Sequence, residues 1–400
     1  MRLFARRQAL ANPRAVTLNT KLPTHQIKEA NPEKAAELYE MAIEAGNVRG
    51  CAYGLANLVF STNPEKAESL YEMAIDAGDE FAATFMLAGL VEASDPERAQ
   101  ALYERSIAAG DLRASTYHLA NLIKDTDPDR AIELYRQSAC EGLNDARTAL
   151  ARMIYIDNRQ EAIDLCEAAV ADGDENDGAL FLGFLLEDTD VERSKELYQK
   201  CVDAGHCWAA ANNLANLIKS ENPELAEELF KKAIESGNRG LPAENLARLC
   251  YSQDRLEDAL RYYEMAFTNG RSESRDLLID YGALMMTRNA DMAIELSEKA
   301  MKSGDQVFSP CNLGHMRSLE DPDEARRLYE LAIEHEQGIE ATEAYIGLAL
   351  LTTTADECRA DELLHIAKER ENFESSISFM ADYYDLINSP QAELLRSISQ

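Results

Sequence analysis

The residue types that most often carry catalysis are present in this chain but are nowhere gathered. The six histidines (His25, His118, His206, His315, His335 and His365) are scattered. Only His206-Cys207-Trp208 makes a local cluster that a metal ion could use, and a turn with Trp208 packed beside it is the simpler reading. Eight cysteines (Cys51, Cys140, Cys166, Cys201, Cys207, Cys250, Cys311 and Cys358) lie without paired spacing and without a Cys-x-x-Cys. Neither a zinc site nor a disulfide ladder is indicated, and reduced thiols in a cytoplasmic protein are the expectation. No Gly-x-Ser-x-Gly, Walker loop, His-Glu-x-x-His or dinucleotide glycine cluster occurs. Carboxylate runs such as Glu224 to Glu228 read as solvated helix faces. We therefore expect no catalytic residue, no metal and no cofactor.

What remains is chemistry of recognition. The sequence Leu-Ala-Asn-Leu recurs at Leu55 to Leu58, Leu119 to Leu122 and Leu214 to Leu217. Its asparagines, Asn57, Asn121 and Asn216, align with Arg152 and Arg248 in other copies. Four residues earlier stand Tyr53, Phe85, Tyr117 and Asn212; three residues later stand Lys124 and Lys219. Positions i, i+4 and i+7 share one helical face. An asparagine amide donates and accepts at once, so a row of them can pair with the backbone of an extended peptide. Arginine can hold a carboxylate through two parallel hydrogen bonds. Two readings of this face stand: a groove for an extended peptide, or amides bonding a neighbouring repeat with tyrosines packed between helices.

These side chains need a repeating scaffold, and the sequence supplies one. Asn31-Pro32-Glu33, Asn63-Pro64-Glu65, Asp95-Pro96-Glu97 and Asp127-Pro128-Asp129 recur every 32 residues, and the phase continues at Asp190 and Asn222-Pro223-Glu224, with a related Asp321-Pro322-Asp323 later. Each reads as a helix start: a capping side chain, an acid that complements the helix dipole and, in every copy but that at Asp190, proline at the first helical position. Ala35, Leu38, Tyr39, Ala42 and Ile43 then form an apolar stripe at helical spacing. Glycine closes the first helix at Gly46, Gly78, Gly110, Gly142, Gly173, Gly205, Gly237, Gly270, Gly304 and Gly338. A second helix follows each, with Ala52, Leu55, Ala56, Leu58 and Val59 in the first copy. A period of this length, too short for a core of its own, means a stacked array. The glycine spacing lengthens after Gly237, and the last segment, 389–400, reads as a partial repeat that caps the array.

Composition narrows the partners. The formal net charge is −32, and residues 1–28 hold Arg2, Arg6, Arg7, Arg14, Lys21 and Lys28 with no carboxylate. We read 1–28 as a basic, flexible arm and 29–388 as one solenoid more acidic than the chain as a whole. Such a field repels phosphate backbones and anionic membrane, so nucleic acid is not an expected partner. No apolar run is long enough to span a bilayer.

Ala-x-x-Leu-Tyr-x-x-Ala-Ile-x-x-Gly at Ala35 to Gly46, with close copies at Ala67 to Gly78 and Ala99 to Gly110, resembles the Sel-one-like repeat (Sel1-like) family, a relative of the tetratricopeptide class. The second-helix pattern Ala-x-x-x-Leu-Ala at Ala83 to Ala88 agrees. The resemblance implies an all-α, right-handed α-α superhelix of about eleven 32–34-residue helix-turn-helix repeats. It also implies a concave surface lined by the helices that carry Leu-Ala-Asn-Leu. On that surface the candidate binding residues are Tyr53, Asn57, Phe85, Tyr117, Asn121, Lys124, Arg152, Asn212, Asn216, Lys219 and Arg248. The partner is a protein or an extended peptide, acidic groups included. Two departures mark this chain: the Gly-x-Gly loop usual between such repeats is missing, and its cysteines are not paired within repeats as in the family's secreted members. The expected function is a non-catalytic interaction scaffold. A peptide-sensing regulator acting on a separate partner, and an acidic decoy for a basic protein, are the alternatives.

Overall fold

A computed structural model describes residues 32–205, 208–335, 341–353, 355–387 and 389–398. The basic arm 1–28, the cap at Asn31, His206 and Cys207, the turn through Gly338 and the cap at Asn388 lie outside those residues. The chain divides into two compact units, one ending at Lys200 and the other beginning at Cys201.

Every element described is helical. The first unit holds α1 (Pro32–Glu44), α2 (Val48–Val59), α3 (Pro64–Asp76), α4 (Ala82–Val91), α5 (Pro96–Ala108), α6 (Ala114–Ile123), α7 (Pro128–Cys140), α8 (Asn144–Ile154), α9 (Arg159–Ala171) and α10 (Asp177–Leu186), and ends within α11 (Val191–Asp203). The second holds α12 (Trp208–Ile218), α13 (Pro223–Glu235), α14 (Leu241–Ser252), α15 (Leu256–Ala266), α16 (Arg275–Met285), α17 (Ala290–Lys302) and α18 (Phe308–Arg317). It continues through α19 (Pro322–Glu334), α20 (Thr342–Thr352), α21 (Glu357–Lys368), α22 (Phe373–Leu386) and α23 (Gln391–Ile398). Within each unit consecutive helices pack as pairs. Among the described residues no helix is long and apolar enough to cross a membrane.

The boundaries fall where side chains satisfy the orphan N–H groups of a first turn. Asn63, Asp95, Asp127, Asn222 and Asp321 each accept from the backbone N–H three residues on, at 3.0 to 3.2 Å. Asn158, Asp190, Asn289 and Asp356 do the same with no proline behind them. The capping oxygen is the operative group, and proline only reinforces it. The expected glycines end the preceding helices, Gly46 at φ 89° and Gly110 at φ 110°, a region open to glycine at little cost. Asp79, Asp111 and Asp305 follow such glycines directly, and each carboxylate is buried against the first N–H groups of the next helix. One Gly-Asp pair therefore ends one helix and starts the next. The lengthened spacing after Gly237 is taken up partly by a π turn at Phe267–Arg271, which overruns α15.

Two devices hold neighbouring pairs in register. One is a slot for a large ring. Tyr71, Tyr103, Tyr135, Tyr198, Tyr263 and Tyr329, each four residues after a buried alanine or serine, are at most 1% exposed. Cys166, Phe230 and Ser297 stand at the same place in other copies. The ring needs room: a Cβ on Gly183 would lie 2.7 Å from Tyr198. The other device is a ladder of ion pairs along the odd-numbered helices of the first unit. Lys66 meets Glu40 at 2.9 Å, Arg98 meets Glu72 at 2.7 Å, Arg130 meets Glu104 at 2.8 Å, and Arg193 meets Glu167 at 3.0 Å. Between α7 and α9 the signs are exchanged, Arg136 with Glu161.

Candidate functional site

The even-numbered helices carry the face picked out in the sequence, and the buried tyrosines of the following odd-numbered helices shape it from behind. In the first unit the Tyr71 hydroxyl donates to Asn57 Oδ1 at 2.7 Å, and the Tyr135 hydroxyl donates to Asn121 Oδ1 at 2.7 Å. In the copy with Gly89 at the asparagine position, Tyr103 donates instead to Glu92, three residues later, at 2.6 Å. Tyr198 likewise donates to Glu187 at 2.5 Å where Phe184 takes the asparagine position. Burial pushes the Tyr71 and Tyr103 phenols well above their usual range and the Tyr135 phenol up to about 12, so these hydroxyls stay protonated as donors.

This geometry divides the asparagine. Its oxygen is committed to the fold, while the Nδ2 of Asn57 and of Asn121 bonds no other described residue; both side chains are half-buried. Beside them lie the three aromatic positions. Tyr53 sits 6.1 Å from Tyr71, Phe85 6.1 Å from Tyr103, and Tyr117 5.9 Å from Tyr135, centroid to centroid. His118 joins α4 to α6: it is 5.3 Å from Phe85 edge-on, 5.4 Å from Tyr117 and stacked at 5.8 Å on Tyr103. The sequence reading did not include His118, whose one signal was its place between an aromatic residue and the core leucine.

The basic positions fare differently. Lys124 is exposed at the end of α6. Arg152 lies over the Phe181 ring at 5.3 Å and 3.8 Å from Asp177. Phe181 stacks at 5.7 Å on Phe184, and Tyr155 meets both rings edge-on, so α8 and α10 share an aromatic cluster.

In the second unit the predicted residues are drawn into networks of their own. Asn212 is buried, gives its Nδ2 to Asn213 Oδ1 at 3.2 Å and accepts from Asn245 Nδ2 at 2.9 Å. Phe230 occupies the ring slot and has no hydroxyl to offer Asn216. Asn216 Oδ1 accepts from Lys219 Nζ at 3.2 Å, and its Nδ2 donates to the Asn212 carbonyl. Arg248 is held at 2.7 Å by Asp280 and at 3.2 Å by the buried Glu244, which also binds Arg271 at 2.6 Å. Burial pushes the Asp280 carboxyl up against the opposing pull of Arg248. His315 takes the asparagine position in a later copy, with its Nδ1 2.8 Å from the Tyr329 hydroxyl. Among the described residues no group of three or more His, Cys, Asp or Glu is placed to hold a metal ion.

Seven segments of the chain match the Sel1 repeat model: residues 26–47, 50–79, 83–111, 119–143, 209–238, 277–305 and 312–336. Among solved structures, a protective antigen of uropathogenic Escherichia coli displaying an SLR fold is similar, with a TM-score of 0.64 and 16% identity over 95% of this chain and 96% of that one. A Sel1 repeat protein from Oxalobacter formigenes matches 54% of this chain and 97% of its own at 19% identity, with a TM-score of 0.45. No protein of curated function matches. Residues 144–171, which have no match, still form a helical pair of the same kind, α8 with α9.

Proposed function

We propose that this chain, a Sel1 repeat protein, is a non-catalytic scaffold that binds an extended peptide or protein segment along the face of α2, α4 and α6. We read that face as the concave one. Sel1 and tetratricopeptide-like repeats serve generally as protein-interaction scaffolds. The observation that carries the proposal is the divided asparagine. The tyrosine clamp fixes Asn57 and Asn121 with the Nδ2 left to donate, so little conformational freedom is lost when a peptide carbonyl binds. Tyr53, Phe85 and Tyr117 supply half-buried rings beside them, the residue type that most often anchors an interface. In the second unit Arg248 is neutralised by its own acidic neighbours, which moves the weight of the proposal to the first unit.

The test keeps the clamp and removes the donor. Asn57→Asp with Asn121→Asp retains an oxygen for each tyrosine but loses both N–H groups. A partner captured from source-cell lysate by the native protein and lost by this variant, at unchanged thermal stability, supports the proposal. Capture undiminished in the variant overturns it. Capture by both proteins with release by salt favours an acidic decoy, because an ion-paired complex is screened and a hydrogen-bonded one much less so.

A further inference from the structure

At the seam between α19 and α21 a cleft of about 350 Å³ opens over α20. The comparison with α3 and α5 is residue for residue. There, Arg98, which precedes the buried Ala99, bridges Glu68 and Glu72, one and five residues after the buried Ala67. At the α19/α21 seam, Arg359 precedes the buried Ala360, and the residues one and five after the buried Ala325 are Arg326 and Glu330. Arg326 thus stands where α3 carries Glu68, while Glu330 keeps the acid that Glu72 supplies there. Arg359 turns to Glu362 on its own helix at 2.9 Å. Among the described residues Arg326 forms no ion pair or hydrogen bond. Arg326, in the second turn of α19, and Arg359, in the first turn of α21, line one opening. Beyond them the floor is apolar, with Ile333, Leu348 and Leu363, and Glu330 and Glu334 line the same cleft.

We propose that this cleft captures the free C-terminus of a peptide ending in an apolar residue. Arg326 and Arg359 take the carboxylate, for which arginine offers paired donors. The apolar floor takes the last side chain, and the volume lies at the small end of the roughly 300–1,000 Å³ usual for ligand sites. The glutamates favour a peptide over an acyl chain, since a peptide brings backbone N–H donors behind its carboxylate and a hydrocarbon brings none. The site is separate from the asparagine face of the first unit.

The experiment is fluorescence anisotropy with the full chain and a labelled pentapeptide, Gly-Ser-Gly-Ile-Leu, as free acid and as C-terminal amide. The acid is expected to bind, and the amide to bind at least about tenfold more weakly. Arg326→Glu restores the acid that Arg98 enjoys, so binding of the free acid should fall at least about tenfold while the helical circular dichroism is unchanged and thermal stability holds or rises. The Asn57→Asp/Asn121→Asp variant should bind the probe as the native chain does, which separates this site from the other proposal. Equal affinity for acid and amide, undiminished binding by Arg326→Glu, or no binding up to about 1 mM peptide each overturns the assignment. Binding of decanoate without the peptide overturns it too, in favour of an acyl carboxylate.

Discussion

At the scale of single residues, Asn57 and Asn121 bond the following repeat through the amide oxygen alone. Asn57 and Asn121 are structural through one atom and available through another, because a primary amide carries both an acceptor and donors. Tyr135→Phe deletes only the hydroxyl. It is expected to destabilise the fold by about 1 kcal/mol, the usual net worth of one such bond, measurable as a shift of the urea midpoint. An unchanged midpoint would mean that the clamp contributes nothing. Phe230 is the natural version of that deletion, and beside it Asn216 turns to Lys219 instead. Leu-Ala-Asn-Leu was legible in the sequence; its partner was not, because Tyr71 and Tyr135 lie 14 residues downstream on another helix. The ion pairs of Arg152 with Asp177 and of Arg248 with Asp280 were likewise beyond reach of the sequence, since these carboxylates become neighbours only through packing.

At the scale of elements, caps define each helix and ion pairs align it with the next. The ladder residues sit 25 or 26 positions apart, on exposed flanks of the odd-numbered helices, so no apolar periodicity announces them. The α7/α9 seam offers a clean test, because its charges are already exchanged relative to its neighbours. Arg136→Glu should cost on the order of 0.5 kcal/mol, discounted because the two side chains are 51% and 31% exposed. The double variant Arg136→Glu/Glu161→Arg should recover most of that loss. A double-mutant cycle in chemical denaturation measures both, and the coupling should fade at high salt. A coupling of zero at low salt would leave the ladder without a role in register.

For the molecule as a whole, stability should form a plateau bounded by buried phenols on the alkaline side and an ion-paired carboxylate on the acid side. The Tyr135 phenol titrates near 10 when unfolded and near about 12 when folded, with Tyr71, Tyr103 and Tyr263 also raised by burial. Their stabilisation is complete below pH 10 and is lost as the pH climbs through the folded values. On the acid side, hydrogen bonding from Arg255 foremost, with Lys231 beside it, lowers Glu227 from 4.5 to about 2. That contribution is complete above pH 4.5 and is lost as the pH falls toward 2. Thermal melting between pH 2 and 12 should therefore be steady in the middle and fall at both ends. Arg255→Gln should remove part of the acid limb, and Tyr135→Phe part of the alkaline one. A melting temperature indifferent to pH between 10 and 12 would contradict the burial of the tyrosine slots.

The sequence by itself determined the helices, their caps, their glycine ends and their pairing, because those depend on interactions within a few residues that recur in every copy. It also placed the asparagine, aromatic and basic positions on one helical face, since positions i, i+4 and i+7 fall together on any helix. The tertiary structure decided which atoms on that face are already in use. It alone exposed the α19/α21 cleft and brought Arg326 and Arg359 to its lining. Hydrogen bonds and ion pairs between helices depend on which side chains packing brings within about 3 Å, and no local pattern records that.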